Sequence, residues 1–217
     1  MATAQLTISS KTYSAWSLRG WLLCRLAGLE VEELPAPNDA DNRAELLLLS
    51  PSVLVPRLTH EGASVWDTLS IAEYLHELYP KAGMYPAERI ARAHCRSISG
   101  EIHSGFTNLR SALPMNIKVK HDSFPVFSGA KPDIERIEAI WHECLTRYGG
   151  PYLFGRAPTV ADAMYAPVTR RFLSYAVALS PENTAYCQAI ASWQPMSDWV
   201  AAALAEPEEM EELEVEF

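Results

Sequence analysis

The apolar residues of this 217-residue chain change their period part-way along it, and that change restricts the architectures open to it. Up to about residue 80, short apolar runs alternate with helical spacing; from Ala87 onward the helical period stands alone. Leu6, Thr7 and Ile8 make a short strand. After a polar stretch, Leu18, Trp21, Leu22, Leu23 and Leu26 recur at helical spacing until Gly28 stops the helix. Residues 31–34 read as a second strand, residues 43–49 follow a loop rich in Pro, Asn and Asp, and residues 53–59 read as a strand interrupted by Pro56. Residues 60–63 form a hairpin turn into residues 64–66. Thr68 then caps a helix whose Ile71, Tyr74, Leu75 and Leu78 mark one face and which Pro80 ends. Past residue 87 the helical segments fall near 88–113, 132–148, 159–177, 184–192 and 196–205, with prolines between them. The pattern predicts an α/β domain over residues 1–80, a linker over 81–87 and an all-α domain over 88–217.

Composition then removes several classes of function. Hydrophobic residues make up 48% and charged residues 21%, an ordinary globular balance. No apolar run reaches the ~18 residues of a membrane span, and no basic segment followed by an apolar stretch opens the chain, so a cytoplasmic protein without a membrane partner is expected. Eighteen Lys and Arg face 27 Asp and Glu, a formal charge of -9 that repels nucleic acid. Seven of the last twelve residues, from Glu206, are Glu; without them eighteen cations face twenty anions, a balance of -2. That tail reads as a solvated, frayed end. Cys24, Cys95, Cys144 and Cys187 are far apart, with no Cys-x-x-Cys pair and no His at metal-ligand spacing, so they read as small core residues and no metal is expected.

Three places in the first half carry groups able to do chemistry. Thr12, Tyr13 and Ser14 run straight into the first helix, so their hydroxyls and the free N–H groups there sit at the positive end of a helix dipole, where an anion such as a thiolate is stabilised. A plain Ser14 cap accounts for the same spacing. Val55-Pro56 lies inside a strand, where proline cannot join the ladder; a cis bond would turn the Val55 backbone groups toward a peptide-like ligand. At the next helix start, Thr68 and backbone N–H groups suit a ligand carboxylate and Asp67 suits an ammonium group, although both residues also suit capping.

Taken in order, Tyr13-Ser14 before Trp16-Ser17-Leu18-Arg19, then Val55-Pro56, then the run Asp67-Thr68-Leu69-Ser70-Ile71-Ala72-Glu73-Tyr74-Leu75, resemble the N-terminal domain of the glutathione transferase superfamily. Met84-Tyr85-Pro86 resembles that family's interdomain linker, and Pro158-Thr159-Val160-Ala161-Asp162-Ala163 resembles its capping-box motif. The resemblance covers nearly the whole chain and implies an α/β thioredoxin-like N-terminal domain plus an all-α C-terminal domain. The first helix is most similar to serine-type, zeta-like bacterial members, which have two serines, a cysteine, one further residue and then Trp-Arg-Val-Arg. Alignment on Trp16 and Arg19 puts the catalytic serine on Thr12, the next serine on Tyr13 and the cysteine on Ser14. Ser14 is nearest the helix start and is taken first, with Thr12 second. Relatives commonly have Gly-Lys before the Val-Pro pair, where this chain has Val53-Leu54, and Glu or Gln where it has Asp67.

The resemblance implies conjugation of reduced glutathione, a co-substrate needing no metal, to small hydrophobic electrophiles in detoxification by a cytoplasmic homodimer. Ser14 or Thr12 would activate the thiol, Val55, Pro56, Asp67 and Thr68 would hold the tripeptide, and Tyr13, His103 and Phe106 would line the substrate pocket. The stripe of His103, Phe106, Leu109 and Arg110 also reads as core. Two alternatives stand beside this reading. One is glutathione-dependent cis-trans isomerisation of a maleyl-type dicarboxylate, for which Arg19, Arg110, Arg170 and Arg171 are available cations. The other is a non-catalytic interaction module with the same fold.

Overall fold

The computed structural model describes residues 4–36 and 54–206. The expected segment 43–49, residue 53 and the acidic tail beyond Glu206 lie outside the described residues. Four strands form one sheet in the order β2-β1-β3-β4: β1 (Gln5–Ile8), β2 (Glu32–Pro35), β3 (Arg57–His60) and β4 (Ala63–Val65). β1 runs parallel to β2 and antiparallel to β3, with Leu6 opposite both Glu33 and Leu58. Between β3 and β4, Glu61 and Gly62 both have positive φ, the requirement of a primed two-residue hairpin turn. Pro56 does not interrupt a strand; β3 starts just after it, because proline has no N–H to give to the ladder.

Helix α1 (Ala15–Ala27) ends on Gly28, whose φ of 76° is the left-handed cap that glycine adopts without penalty. It is apolar almost all round, with Leu18, Leu22, Leu23 and Cys24 fully buried, because sheet-side and helix-side neighbours both cover it. Helix α2 (Thr68–Leu78) is capped by Asp67 and not by Thr68: the carboxylate Oδ1 accepts from the Leu69 and Ser70 N–H groups at 3.0 and 3.2 Å. A carboxylate at the positive helix end outcompetes a neutral hydroxyl.

The remaining described elements are two short 3-10 turns, Pro80–Ala82 and Ser128–Ala130, and the helices α3 (Arg89–Ser104), α4 (Thr107–Ala112), α5 (Lys131–Tyr148), α6 (Val160–Ser174), α7 (Pro181–Ser192) and α8 (Gln194–Leu204). The expected single helix over 88–113 is thus two. Gly105 leaves the helical path and Phe106 takes a φ of 62°, so the stripe that would join His103 to Phe106 is broken between them. α6 is the central helix, buried along nearly its whole length against α1, α3 and α7. Its capping box is present: the Asp162 carboxylate accepts from the Thr159 N–H (2.7 Å) and hydroxyl (3.0 Å), and also from Leu153 N–H and Tyr186 O–H. Four donors on one buried carboxylate join α6, α7 and the preceding loop. Among the described residues no helix is long and apolar enough to cross a membrane.

Candidate active site

Ser14 is the N-cap of α1: its Oγ accepts from Ser17 N–H at 3.2 Å and donates to Ser17 Oγ at 2.9 Å. Ser17 Oγ in turn accepts from Ser9 N–H at 3.0 Å. Ser14 is half-buried and its proton rests on a neighbouring hydroxyl, so it can be handed to a better acceptor at the positive end of α1 while the capping bond stays made. Tyr13 is also half-buried, and its N–H points to Ser10 Oγ at 3.4 Å. Thr12 is different. It is fully buried, and its hydroxyl faces Glu206 Oε2 at 3.0 Å and the Ala203 carbonyl at 3.2 Å, at the far end of α8.

The peptide between Val55 and Pro56 is cis. Pro56 is buried against α1, where its ring occupies the space a side chain on Gly20 would need: a Cβ there would lie 2.5 Å from the ring's Cβ and Cγ. Val55 is half-buried beside it. Asp67 uses its second oxygen on another element, since Oδ2 lies 3.1 Å from His103 Nε2 in the last turn of α3. The Thr68 hydroxyl is buried and has no hydrogen-bond partner among the described residues.

His103 also meets the edge of Trp16, two residues into α1, with ring centroids 5.2 Å apart. One imidazole thus touches the first turn of α1 and the cap of α2, and so brings the Ser14 and Asp67 neighbourhoods together. Phe106, at the start of α4, is buried in the core.

Sequence reasoning did not anticipate the surroundings of Trp16. The guanidinium carbons of Arg19 and Arg110 lie 4.6 and 4.9 Å from its ring. Arg19 is 1% exposed, donates from Nε to the Met164 carbonyl at 2.8 Å, and leaves Nη1 without a partner among the described residues. Arg110 donates to the Ile102 and His103 carbonyls, and buried Arg171 to the Leu113 carbonyl at 2.8 Å. Burial, then the charges of Arg171 and Arg110, holds the Arg19 guanidinium well below its usual range; burial, then Arg110, brings Arg171 down to about 10. Three cations therefore cluster beside the candidate site on carbonyl partners. Arg19 and Arg110 were legible as available cations, but their convergence on Trp16 depends on the break after Ser104, which spacing did not reveal. Among the described residues no three His, Cys, Asp or Glu side chains gather as a metal site.

Comparison with known proteins follows the same outline. Residues 13–78 match the family described as the glutathione S-transferase N-terminal domain. The chain is 27% identical over 170 residues to a Caenorhabditis elegans protein named probable maleylacetoacetate isomerase, covering 78% of this chain and 79% of that one. In structure it is similar to a glutathione transferase homolog from Burkholderia with bound glutathione, with a TM-score of 0.71 and 22% identity over 94% of this chain and all of that one. It is also similar to a maleylacetoacetate isomerase from Anaeromyxobacter dehalogenans with bound dicarboxyethyl glutathione and citrate, with a TM-score of 0.66 and 20% identity over 95% and 97% of the two chains.

Proposed function

We propose that this chain, which carries a glutathione S-transferase N-terminal domain in residues 13–78 and the glutathione transferase fold, binds reduced glutathione and transfers its thiolate to a small hydrophobic electrophile. The observation that carries the reading is the convergence on His103 of the first turn of α1 and the cap of α2. Residues 1–80 serve the tripeptide, and residues 88–217, joined by the linker 81–87, complete the electrophile pocket with His103. Val55 offers its backbone to the peptide, and the start of α2, with Asp67 and Thr68, takes its γ-glutamyl end. Ser14 turns its O–H from Ser17 Oγ to the sulfur, and this bond with the α1 dipole lowers a thiol value that is ~8.5 in water. The thiolate is the nucleophile, so the protein has only to orient it and keep it ionised. Thr12 is left the supporting part, since its hydroxyl is already engaged. The reading extends to a homodimer acting in the cytoplasm in detoxification.

A second reading has its own support. Two arginines on the Trp16 ring, Arg19 and Arg110, with Arg171 close enough to act on both electrostatically and none of the three with a carboxylate partner among the described residues, suit an anionic substrate, and relatives of this chain are named maleylacetoacetate isomerases. In that reading the thiolate adds to a maleyl-type dicarboxylate, a single bond rotates, and the thiolate leaves unchanged.

Calorimetric titration with glutathione from pH 6 to 9 tests the core of both. The wild type is expected to release a proton on binding near neutrality, Ser14→Ala to lose that release, and Thr12→Ala to keep it. No binding at millimolar glutathione sinks both readings and leaves an interaction module with this fold.

A further inference from the structure

Glu206, the first residue of the acidic tail, is not a frayed end. Its Oε1 accepts from Lys11 N–H at 2.7 Å; its Oε2 accepts from Thr12 N–H, Thr12 hydroxyl and Ser10 hydroxyl, each at 3.0 Å. Burial pushes this carboxyl up, but the Lys11, Thr12 and Ser10 donors outweigh it and hold the group below the usual carboxylate range. Because Ser10 gives its proton to Glu206, the Ser10 oxygen is free to accept from Thr12 N–H at 3.1 Å and Tyr13 N–H at 3.4 Å. The Ser10 carbonyl accepts from Ser14 N–H at 3.0 Å. The turn that ends in Ser14 is therefore ordered from residue 206 through Ser10.

Other groups pin the same turn from the same side. Trp199 Nε1 of α8 donates to the Lys11 carbonyl at 3.0 Å, and Ile117 N–H donates to the Thr12 carbonyl at 3.1 Å. Lys118 Nζ donates to the Glu206 carbonyl at 2.9 Å, closing the ring. Each partner comes from the helical half of the chain, whereas the hydroxyl that the turn presents to the thiol belongs to the sheet half.

We propose that Glu206 is a positioning residue for thiol activation: its carboxylate fixes the turn of residues 10–13, which sets where the Ser14 hydroxyl stands. The proposal rests on the glutathione reading above. A carboxylate is required because all four groups that face it are donors, and an amide would set its own N–H groups against them. A filler of the same shape is therefore no substitute, and that separates positioning from simple anchoring.

The test compares full-length wild type, Glu206→Gln and Ser10→Ala, the last cutting the relay with a smaller change should the first not fold. Glutathione kcat and KM, melting temperature and amide exchange at residues 10–14 are read together. Glu206→Gln is expected to exchange faster at Lys11 and Thr12, with the α6 amides unchanged, and to lose about tenfold to a hundredfold in kcat/KM, the scale of a catalytic group misplaced by about 1 Å. Ser10→Ala is expected to lose less in the same direction. A folded Glu206→Gln with wild-type kinetics overturns the proposal, and so does unchanged exchange at Lys11 and Thr12. A wild type inactive with glutathione overturns the activity reading instead, and exchange alone then decides whether Glu206 orders the turn.

Discussion

Cys24, Cys95, Cys144 and Cys187 are all buried, and burial, which disfavours the charged form, pushes each thiol up to about 12. Thiolate chemistry in this protein therefore belongs to a ligand and not to its own cysteines. An unfolded thiol ionises near 8.5. Between there and about 12 the unfolded chain has lost protons that the folded chain keeps, so the stability these groups contribute falls as pH rises through that window and is intact below it. A thiol reagent at pH 8 is expected to modify none of the four in the native protein and all four in denaturant, with the melting temperature declining from pH 8.5 toward 10. Fast labelling of one native thiol would contradict the burial argument. The same scale explains what the sequence hides about Thr12 and Ser14. Two hydroxyls two residues apart look interchangeable in a string, yet one faces Glu206, 194 residues away, and only folding separates them.

At the scale of elements, local signals were legible and long-range ones were not. The hairpin at Glu61-Gly62 is set by neighbours within a few residues, so spacing sufficed to find it; the Thr159/Asp162 box is equally local, and the family resemblance pointed to it. The division of segment 88–113 escaped, because Gly105 and Phe106 interrupt a period that resumes almost in phase on either side. The contact between α1 and the Val55-Pro56 bend was equally hidden: Gly20 sits mid-helix, where glycine is unfavourable by about 1 kcal/mol relative to alanine. Its presence has a packing reason, since the Pro56 ring fills the place of its missing Cβ. Gly20→Ala gains that helix propensity and loses more to a 2.5 Å overlap with a rigid ring at the bend beside Val55, which the proposed function assigns to the peptide backbone of glutathione. A net destabilisation of about 1–3 kcal/mol is expected in denaturant titration, the usual scale of overpacking, together with weaker glutathione binding. A variant as stable as wild type would show that the bend can move away freely.

In the whole molecule, the sheet half and the helical half meet along α1, and the groups gathered at the candidate site come from both halves: Ser14 and Asp67 from the first, His103 and Arg110 from the second. Arg19 crosses the seam from α1 to the Met164 carbonyl of α6. A fully buried guanidinium whose Nη1 has no partner among the described residues, near two further cations, is a poor way to hold two halves together, because desolvation and like-charge repulsion both oppose it. The Met164 carbonyl lies mid-helix and keeps its intrahelical bond without Arg19, so a long apolar side chain would leave no orphan there. Arg19→Met is therefore expected to melt at or above the wild-type temperature. If the arginine cluster is kept for an anionic substrate, the same variant loses at least about tenfold in turnover of a maleyl-type dicarboxylate while its rate with a neutral electrophile stays within about twofold, the trade of stability against a strained functional group. Calorimetric melting and the two assays on one preparation settle it: a melting temperature several degrees lower would make Arg19 a structural bridge, and an equal loss with both electrophiles would place its effect on the shared glutathione step.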